Sequence, residues 1–92
     1  MTTNDHKPEQ HIEVRVITTA GSYPAHGHES VPISEAVSAV LARAAAKLTI
    51  TDAANWVARV NGNEVDPTRS YADVGLHGEA KIDYGRREGG GG

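Results

Sequence analysis

The sequence predicts an α+β fold in which one helix packs across a mixed sheet of four to five strands. Apolar and polar residues alternate over 11–19 and again over 79–84, as they do in strands with one buried face. Between these stretches, residues 37–48 carry apolar side chains at the spacing of one helical stripe. The 92 residues are enough for one domain with a modest core.

The first stretch predicts a hairpin. Its inward residues alternate with charged ones and are Ile12, Val14 and Val16. Residues 20–27 contain two glycines and a proline, which predict a turn. Residues 28–33 predict the return strand. Pro32 confines this strand to an edge of the sheet, because proline has no N–H to donate.

The helix is expected to follow directly. Ser34 is a favourable N-cap, and Glu35 in the first turn would interact well with the helix dipole. The apolar stripe consists of Val37, Val40, Leu41, Ala44, Ala45 and Leu48. Because the β-branched residues at 49–51 weaken helix continuation, we expect the helix to end near Leu48.

The second half predicts another hairpin and a closing strand. Asn61-Gly62 is a strong signal for a two-residue hairpin loop between strands at 55–60 and 63–65. The closing strand is predicted at 79–84. The inward residues of these strands are Trp56, Ala58, Val60, Ala80, Ile82 and Tyr84.

The element order ββαββ is most economically satisfied when the first and last strands lie side by side in the centre of the sheet. The helix then covers one face and leaves the other open. The open face would carry Glu13, Arg15, Val57, Arg59, Lys81 and Asp83. Val57 and Arg59 are candidates for contact with a partner, although one exposed valine on a protein surface is ordinary.

Composition excludes several classes of function. The net charge is −3 and no dense basic cluster is present, so a nucleic-acid partner is not expected. The N-terminus lacks the apolar segment of a secretory signal, and the apolar stretch 36–48 is too short and too polar to span a membrane. The absence of cysteine excludes disulfides and a thiol nucleophile. We expect a cytoplasmic protein that is monomeric when free.

The chain is expected to consist of a disordered arm at 1–10, a folded domain at 11–84 and a flexible tail at 85–92. Four glycines, Gly89–Gly92, follow two arginines and a glutamate in this tail. Glycine has no Cβ and can pass through a narrow channel, and eight extended residues reach ~26–29 Å. The tail could therefore carry the Gly92 carboxylate into an enzyme's active site. The alternative is a spacer without chemistry of its own.

Three segments resemble ubiquitin and its relatives, which have the β-grasp fold. Val60–Asp66 and the following Ser70–Leu76 are similar to ubiquitin's tight turn, short strand and buried connection. Lys81–Gly90 is similar to its last strand and arginine-containing diglycine tail. Within this group, the chain most resembles bacterial ubiquitin-like proteins encoded beside activating-, conjugating- and JAB-peptidase-like enzymes. It departs from the pattern in its four glycines and in Glu88.

The resemblance implies a protein modifier that is not itself an enzyme and holds no cofactor. An activating enzyme would use ATP to adenylate the terminal carboxylate, and a conjugating enzyme would join it to target proteins through an amide or ester. A JAB-type peptidase would trim the tail. The attachment residues would be Gly89, Gly90, Gly91 and Gly92, with Lys7 as a candidate acceptor for chains. Arg86 and Arg87 would steer the tail to an acidic groove, unless they are merely a solvated charged end.

Two alternatives share the predicted fold. A sulfur carrier would convert the adenylate into a C-terminal thiocarboxylate, and a noncovalent interaction module would not use the tail. His26 and His28 could supply two imidazoles to a metal, but no further ligands accompany them in the sequence. We therefore expect no metal site.

Overall fold

The computed structural model describes residues 10–86. The helix α1 spans Val37–Lys47, and a short 3-10 helix spans Ala53–Asn55. No helix in the described range has the length and apolar character needed to cross a membrane. The strands β1 to β6, in chain order, are His11–Thr18, Gly21–Tyr23, Glu29–Pro32, Trp56–Val60, Asn63–Val65 and Glu79–Arg86.

The strands form one mixed sheet with the parallel pair β1 and β6 at its centre. On one side β4 is antiparallel to β6, and β5 is antiparallel to β4. On the other side β2 and β3 are both antiparallel to β1, so Pro32 lies at the edge of the sheet. The predicted adjacency of the first and last strands is confirmed.

The edge strand opposite β1 is interrupted, which the sequence analysis did not predict. Tyr23 pairs with Val16 and Glu29 pairs with Val14. Residues 24–28 therefore loop out of the edge strand opposite a single residue of β1, Arg15. The proline that opens this loop cannot donate to the ladder, which ends β2 there. The predicted turn at 20–27 is wrong in part, because it contains β2.

The helix begins later than predicted. Ala36 occupies the N-cap position and makes no side-chain capping hydrogen bond. The backbone N–H groups of Val37 and Ser38 instead donate to carbonyls of the segment 67–70, at 3.0 and 2.7 Å. The predicted cap at Ser34 is wrong, because this distant segment satisfies the first N–H groups of the helix.

The second half follows the prediction with two shifted boundaries. Asn61 and Gly62 have φ values of 55° and 83°, the left-handed pair that a two-residue hairpin loop requires. β4 begins at Trp56, because the residues before it form the 3-10 helix. β6 continues past Tyr84 to Arg86, because β4 offers backbone partners to both added residues.

The core lies between α1 and the inner face of the sheet. Every predicted inward position of β1 is buried, and Ala80 and Ile82 of β6 are buried as well. Tyr71 is fully buried in the connection before β6, the segment whose resemblance to ubiquitin implied a buried connection. The buried hydrophobic residues are Ile12, Val14, Val16, Val31, Val37, Val40, Leu41, Ala44, Ala58, Val60, Tyr71, Ala80 and Ile82.

Candidate functional site

The predicted site residues are only partly described. Gly89, Gly90, Gly91 and Gly92 lie outside the described residues, and so do Arg87 and Lys7. Arg86, Val57 and Arg59 are described. The site is therefore built from the end of β6 and the elements around it.

Arg86 is the last residue of β6 and pairs with Trp56 of β4. Its guanidinium Nη2 lies 2.9 Å from Oδ2 of Asp52, forming an ion pair between residues far apart in the sequence. Both side chains are well exposed, 76% for Arg86 and 58% for Asp52. This contact joins the end of β6 to the loop that leads from α1 to β4. The sequence analysis did not identify Asp52, because nothing local marks it as a partner of Arg86.

Trp56 lies beside this ion pair. The indole is partly buried and meets Tyr84 in an edge-on arrangement, with ring centroids 5.2 Å apart and an interplanar angle of 73°. The indole Nε1 is buried and has no hydrogen-bond partner among the described residues. Burial raises the pKa of Tyr84. Both aromatic residues were predicted to face inward, and the structure shows that they are only half-buried.

A groove of about 890 Å³ opens at this end of the sheet. Its walls are the β1–β2 turn, the loop after α1, and the end of β6. Residues from both faces of the sheet contribute to it, because it passes around the end of β6. The groove is lined by Ile17, Thr18, Thr19, Ala20, Thr49, Ile50, Thr51, Asp52, Trp56, Arg59, Asp83, Tyr84, Gly85 and Arg86.

Val57 and Arg59 lie on the face opposite Arg86. Val57 pairs with Gly85, and Arg59 lies between Asp83 of β6 and Glu64 of β5. Side chains alternate between faces along β6, so Arg86 shares a face with Tyr84 rather than with these two residues. Both Val57 and Arg59 are half-buried. Among the described residues, the structure thus places Arg86 on one face of the sheet and Val57 and Arg59 on the other.

The open face is predominantly charged. Arg15 and Lys81 are paired neighbours at its centre. The Arg15 guanidinium turns toward the loop between β2 and β3 and donates to the Gly27 carbonyl (2.8 Å), the Ser22 hydroxyl (3.1 Å) and the Ala25 carbonyl (3.4 Å). Arg15 therefore supports that loop. A partner of this face meets charges rather than an apolar patch.

A second charged cluster lies on the helix side. Arg43 of α1 is 3.2 Å from a carboxylate oxygen of Glu29 and 3.0 Å from one of Glu35. Glu35, predicted in the first helical turn, precedes the helix. Partial burial alone would lower the pKa of Arg43, but hydrogen bonds and charge from the two carboxylates raise it. The cluster ties β3 to α1.

Tyr71 places a hydroxyl in the core near this cluster. The hydroxyl is buried and has no hydrogen-bond partner among residues 10–86. Burial raises the pKa of Tyr71, and the charge of Glu35 raises it further. A tyrosine held in its neutral form is suited to packing rather than to proton transfer near neutral pH.

The histidine pair considered for a metal is used differently. Nε2 of His28 lies 2.8 Å from a carboxylate oxygen of Glu79 at the start of β6. His26 is exposed in the preceding loop. Within the described range, no group of three or more histidine, aspartate or glutamate side chains is arranged to hold a metal ion.

Comparison with known proteins gives matches of structure. No protein-family model and no curated protein sequence matches the chain. A structure from work on molecular mimicry of SUMO that promotes DNA repair has a TM-score of 0.68 at 15% identity, covering 88% of this chain and 98% of its own. The ubiquitin-like domain of an Arabidopsis thaliana protein has a TM-score of 0.64 at 17% identity, covering 96% and 89%. Caldiarchaeum subterraneum ubiquitin has a TM-score of 0.60 at 15% identity, covering 87% and 98%.

In this chain one helix packs on a mixed sheet whose first and last strands are parallel neighbours. The agreement extends over most of the chain. The predicted α+β class and the β-grasp resemblance are therefore confirmed at the level of fold, and the chain has the ubiquitin-like fold.

Proposed function

We propose that this protein is a ubiquitin-like modifier. A partner activating enzyme adenylates the carboxylate of its glycine tail, at Gly92 in this sequence, and the protein is then joined to target proteins. The observation that carries the proposal is the course of β6. This strand pairs with β1 on one side and β4 on the other, and it holds the chain firmly up to an exposed arginine at the end of the sheet.

The sequence beyond Arg86 supplies the tail that this chemistry needs. Residues 87–92 can extend by about 20 Å, enough to enter a cleft in another protein. Glycines at 89–92 present no side chain to the walls of such a cleft. The fold thus provides a rigid body for recognition, and the tail provides the reacting group.

Activation is needed because a carboxylate is a poor electrophile. A carboxylate oxygen attacks the α-phosphorus of ATP, pyrophosphate leaves, and an acyl-adenylate forms. A cysteine thiolate of the partner then attacks the acyl carbon and AMP leaves, giving a thioester. The amine of a target displaces the thiolate and loses a proton, leaving an amide; a hydroxyl gives an ester. Every catalytic group belongs to partners, and this protein is the substrate.

Recognition would begin with charge. Arg86 is exposed at the end of β6 and is followed by Arg87, so an acidic groove on the activating enzyme would attract this end of the molecule. Arg59 and Val57 would offer a second contact on the open face. The proposed setting is the cytoplasm, with a conjugating enzyme and a JAB-type peptidase as further partners. Neither nucleic acid nor membrane has a role in it.

A noncovalent interaction module is the second candidate. It is favoured by one observation: a similar solved structure is the ubiquitin-like domain of an Arabidopsis thaliana protein. In such a module the groove and the open face would carry the function. A sulfur carrier shares the adenylation step, and it differs in ending with a thiocarboxylate.

Mass spectrometry separates these functions. N-terminally tagged protein is isolated under denaturing conditions from its own host, beside a variant lacking Gly91 and Gly92. Heavier species that disappear in the deletion support the modifier, and their sensitivity to hydroxylamine separates ester from amide. Exchange of one oxygen for sulfur identifies the carrier. If both samples show only the unmodified mass while the neighbouring genes are induced, the modifier and the sulfur carrier are contradicted. The noncovalent interaction module then remains.

Self-attachment is tested with Lys7→Arg, which keeps the charge and removes the nucleophilic amine. If Lys7 is the acceptor for chains, this variant retains attachment to targets and loses polymers of the protein itself. Polymers unchanged in length and amount would exclude Lys7 as the acceptor.

A further inference from the structure

We infer that the groove beside Trp56 is a docking surface for an acidic segment of a partner protein. In the free protein, Asp52 occupies the position on Arg86 that a carboxylate of the partner takes on binding. That the partner is the activating enzyme rests on the proposed function. That the ligand is a carboxylate rests on the 2.9 Å contact between Nη2 of Arg86 and Oδ2 of Asp52.

The carboxylate of Asp52 in this ion pair can be exchanged for another carboxylate. Both side chains are exposed to water, 76% and 58%, and exposed ion pairs contribute little because solvent screens them. A second carboxylate that approaches from solvent can replace Asp52 without a large loss. The contact also shows that a carboxylate can reach the Arg86 guanidinium from the loop after α1.

The loop that carries Asp52 is lightly held. The 3-10 helix that follows, Ala53–Asn55, buries no side chain. The 3-10 helix contacts β6 and leads directly into Trp56, which packs on Tyr84. Asp52 can therefore leave Arg86 without disturbing the core beneath α1, because no residue of the 3-10 helix belongs to that core.

The groove defines the rest of the partner's chemistry. Its volume of about 890 Å³ lies within the range of ligand clefts, roughly 300–1,000 Å³. Ile17, Ile50 and the partly buried Trp56 offer apolar surface in the same groove as Arg86. Tryptophan and arginine are the residue types that most often dominate binding energy at interfaces. The expected occupant is an acidic residue flanked by an apolar side chain, presented on an extended segment.

Quenching of tryptophan fluorescence tests whether Asp52 blocks an anion site. Trp56 is the only tryptophan in the sequence, and iodide serves as the anionic probe. At low salt, Asp52→Asn should raise the iodide quenching constant roughly twofold, because an anion can then approach Arg86 beside the indole. Acrylamide, which is neutral, should quench both proteins to a similar degree.

Asp83→Asn is the matched control. It removes one negative charge from the same groove and leaves the contact with Arg86 intact. The double variant Asp52→Asn with Arg86→Gln should lose the gain in iodide quenching. An increase in Asp52→Asn no larger than that in Asp83→Asn overturns the inference, and so does a gain that persists in the double variant.

ATP–pyrophosphate exchange by the activating enzyme tests the partner. Asp52→Asn should lower KM for this protein by about two- to fivefold with kcat unchanged, because an internal competitor is removed. Arg86→Gln should raise KM, and adding Asp52→Asn to it should have no further effect. Wild-type exchange with an unchanged KM in Asp52→Asn contradicts the inference alone. Absence of exchange with the wild type contradicts the proposed function, and the iodide result then decides the inference.

Discussion

Thr49 adopts a left-handed backbone conformation, φ 56°, directly after the C-cap of α1. The N–H of Ile50 donates to the Ala45 carbonyl at 2.8 Å, which is the long hydrogen bond of a Schellman motif. Glycine is favoured at this position because the Cβ of other residues crowds the carbonyl. The chain therefore accepts strain here in order to turn from the helix toward β4.

We expect Thr49→Gly to raise the free energy of unfolding by about 0.5–1 kcal/mol. Relief of a left-handed β-branched residue is worth ~1–2 kcal/mol, and the added freedom of glycine in the unfolded chain offsets roughly half of it. Thr51→Gly is the control, since Thr51 does not have a positive φ. It should lower stability by roughly 0.5–1 kcal/mol. Urea denaturation of both variants measures the difference; equal losses would contradict the assignment of strain to Thr49.

At the scale of elements, local patterns predicted what local forces decide. The alternation in β1 and β6, the stripe of α1 and the Asn61-Gly62 turn are properties of neighbouring residues, and the structure contains each of them. The start of α1 was missed because its N–H groups are satisfied by segment 67–70, which no nearby residue reveals. The interruption between β2 and β3 likewise depends on pairing with β1.

The candidate site, too, was predicted only in the part that the local sequence determines. The sequence singled out Arg86 by its place before the glycines, and the structure shows it exposed at the end of β6. Asp52 and the groove were missed, because the loop after α1 reaches the end of β6 only through the fold. The ββαββ order predicted that the first and last strands are neighbours, and the alternation along the strands predicted the mostly charged open face.

The central strand β6 gives a direct test of the predicted alternation between buried and exposed side chains. Ile82 is fully buried, and Lys81 is exposed on the opposite face. Ile82→Ala should lower the free energy of unfolding by about 2–5 kcal/mol, through lost burial and the cavity that remains. Lys81→Ala should change it by less than about 0.5 kcal/mol. Urea denaturation midpoints with unchanged slopes measure both; similar losses in the two variants would mean that β6 is not held by one buried face.

The stability of the whole molecule should depend on alkaline pH through its tyrosines. Burial raises the pKa of Tyr71 and of Tyr84 above the ordinary value near 10. Between the unfolded and folded pKa values, the folded protein binds more protons than the unfolded chain. Stability is therefore fully present below about pH 10 and falls as pH rises through this range. Each such tyrosine contributes a slope of up to ~1.4 kcal/mol per pH unit.

Tyr71→Phe separates this effect from general alkaline unfolding. Near neutral pH the variant should be as stable as the wild type or more stable by about 1 kcal/mol, because it removes a buried hydroxyl that lacks a partner among the described residues. Above about pH 10 it should lose stability less steeply, since one titrating group is gone. Urea denaturation across this range measures both slopes. A variant that declines as steeply as the wild type would show that the Tyr71 hydroxyl ionises as readily in the folded protein as in the unfolded chain.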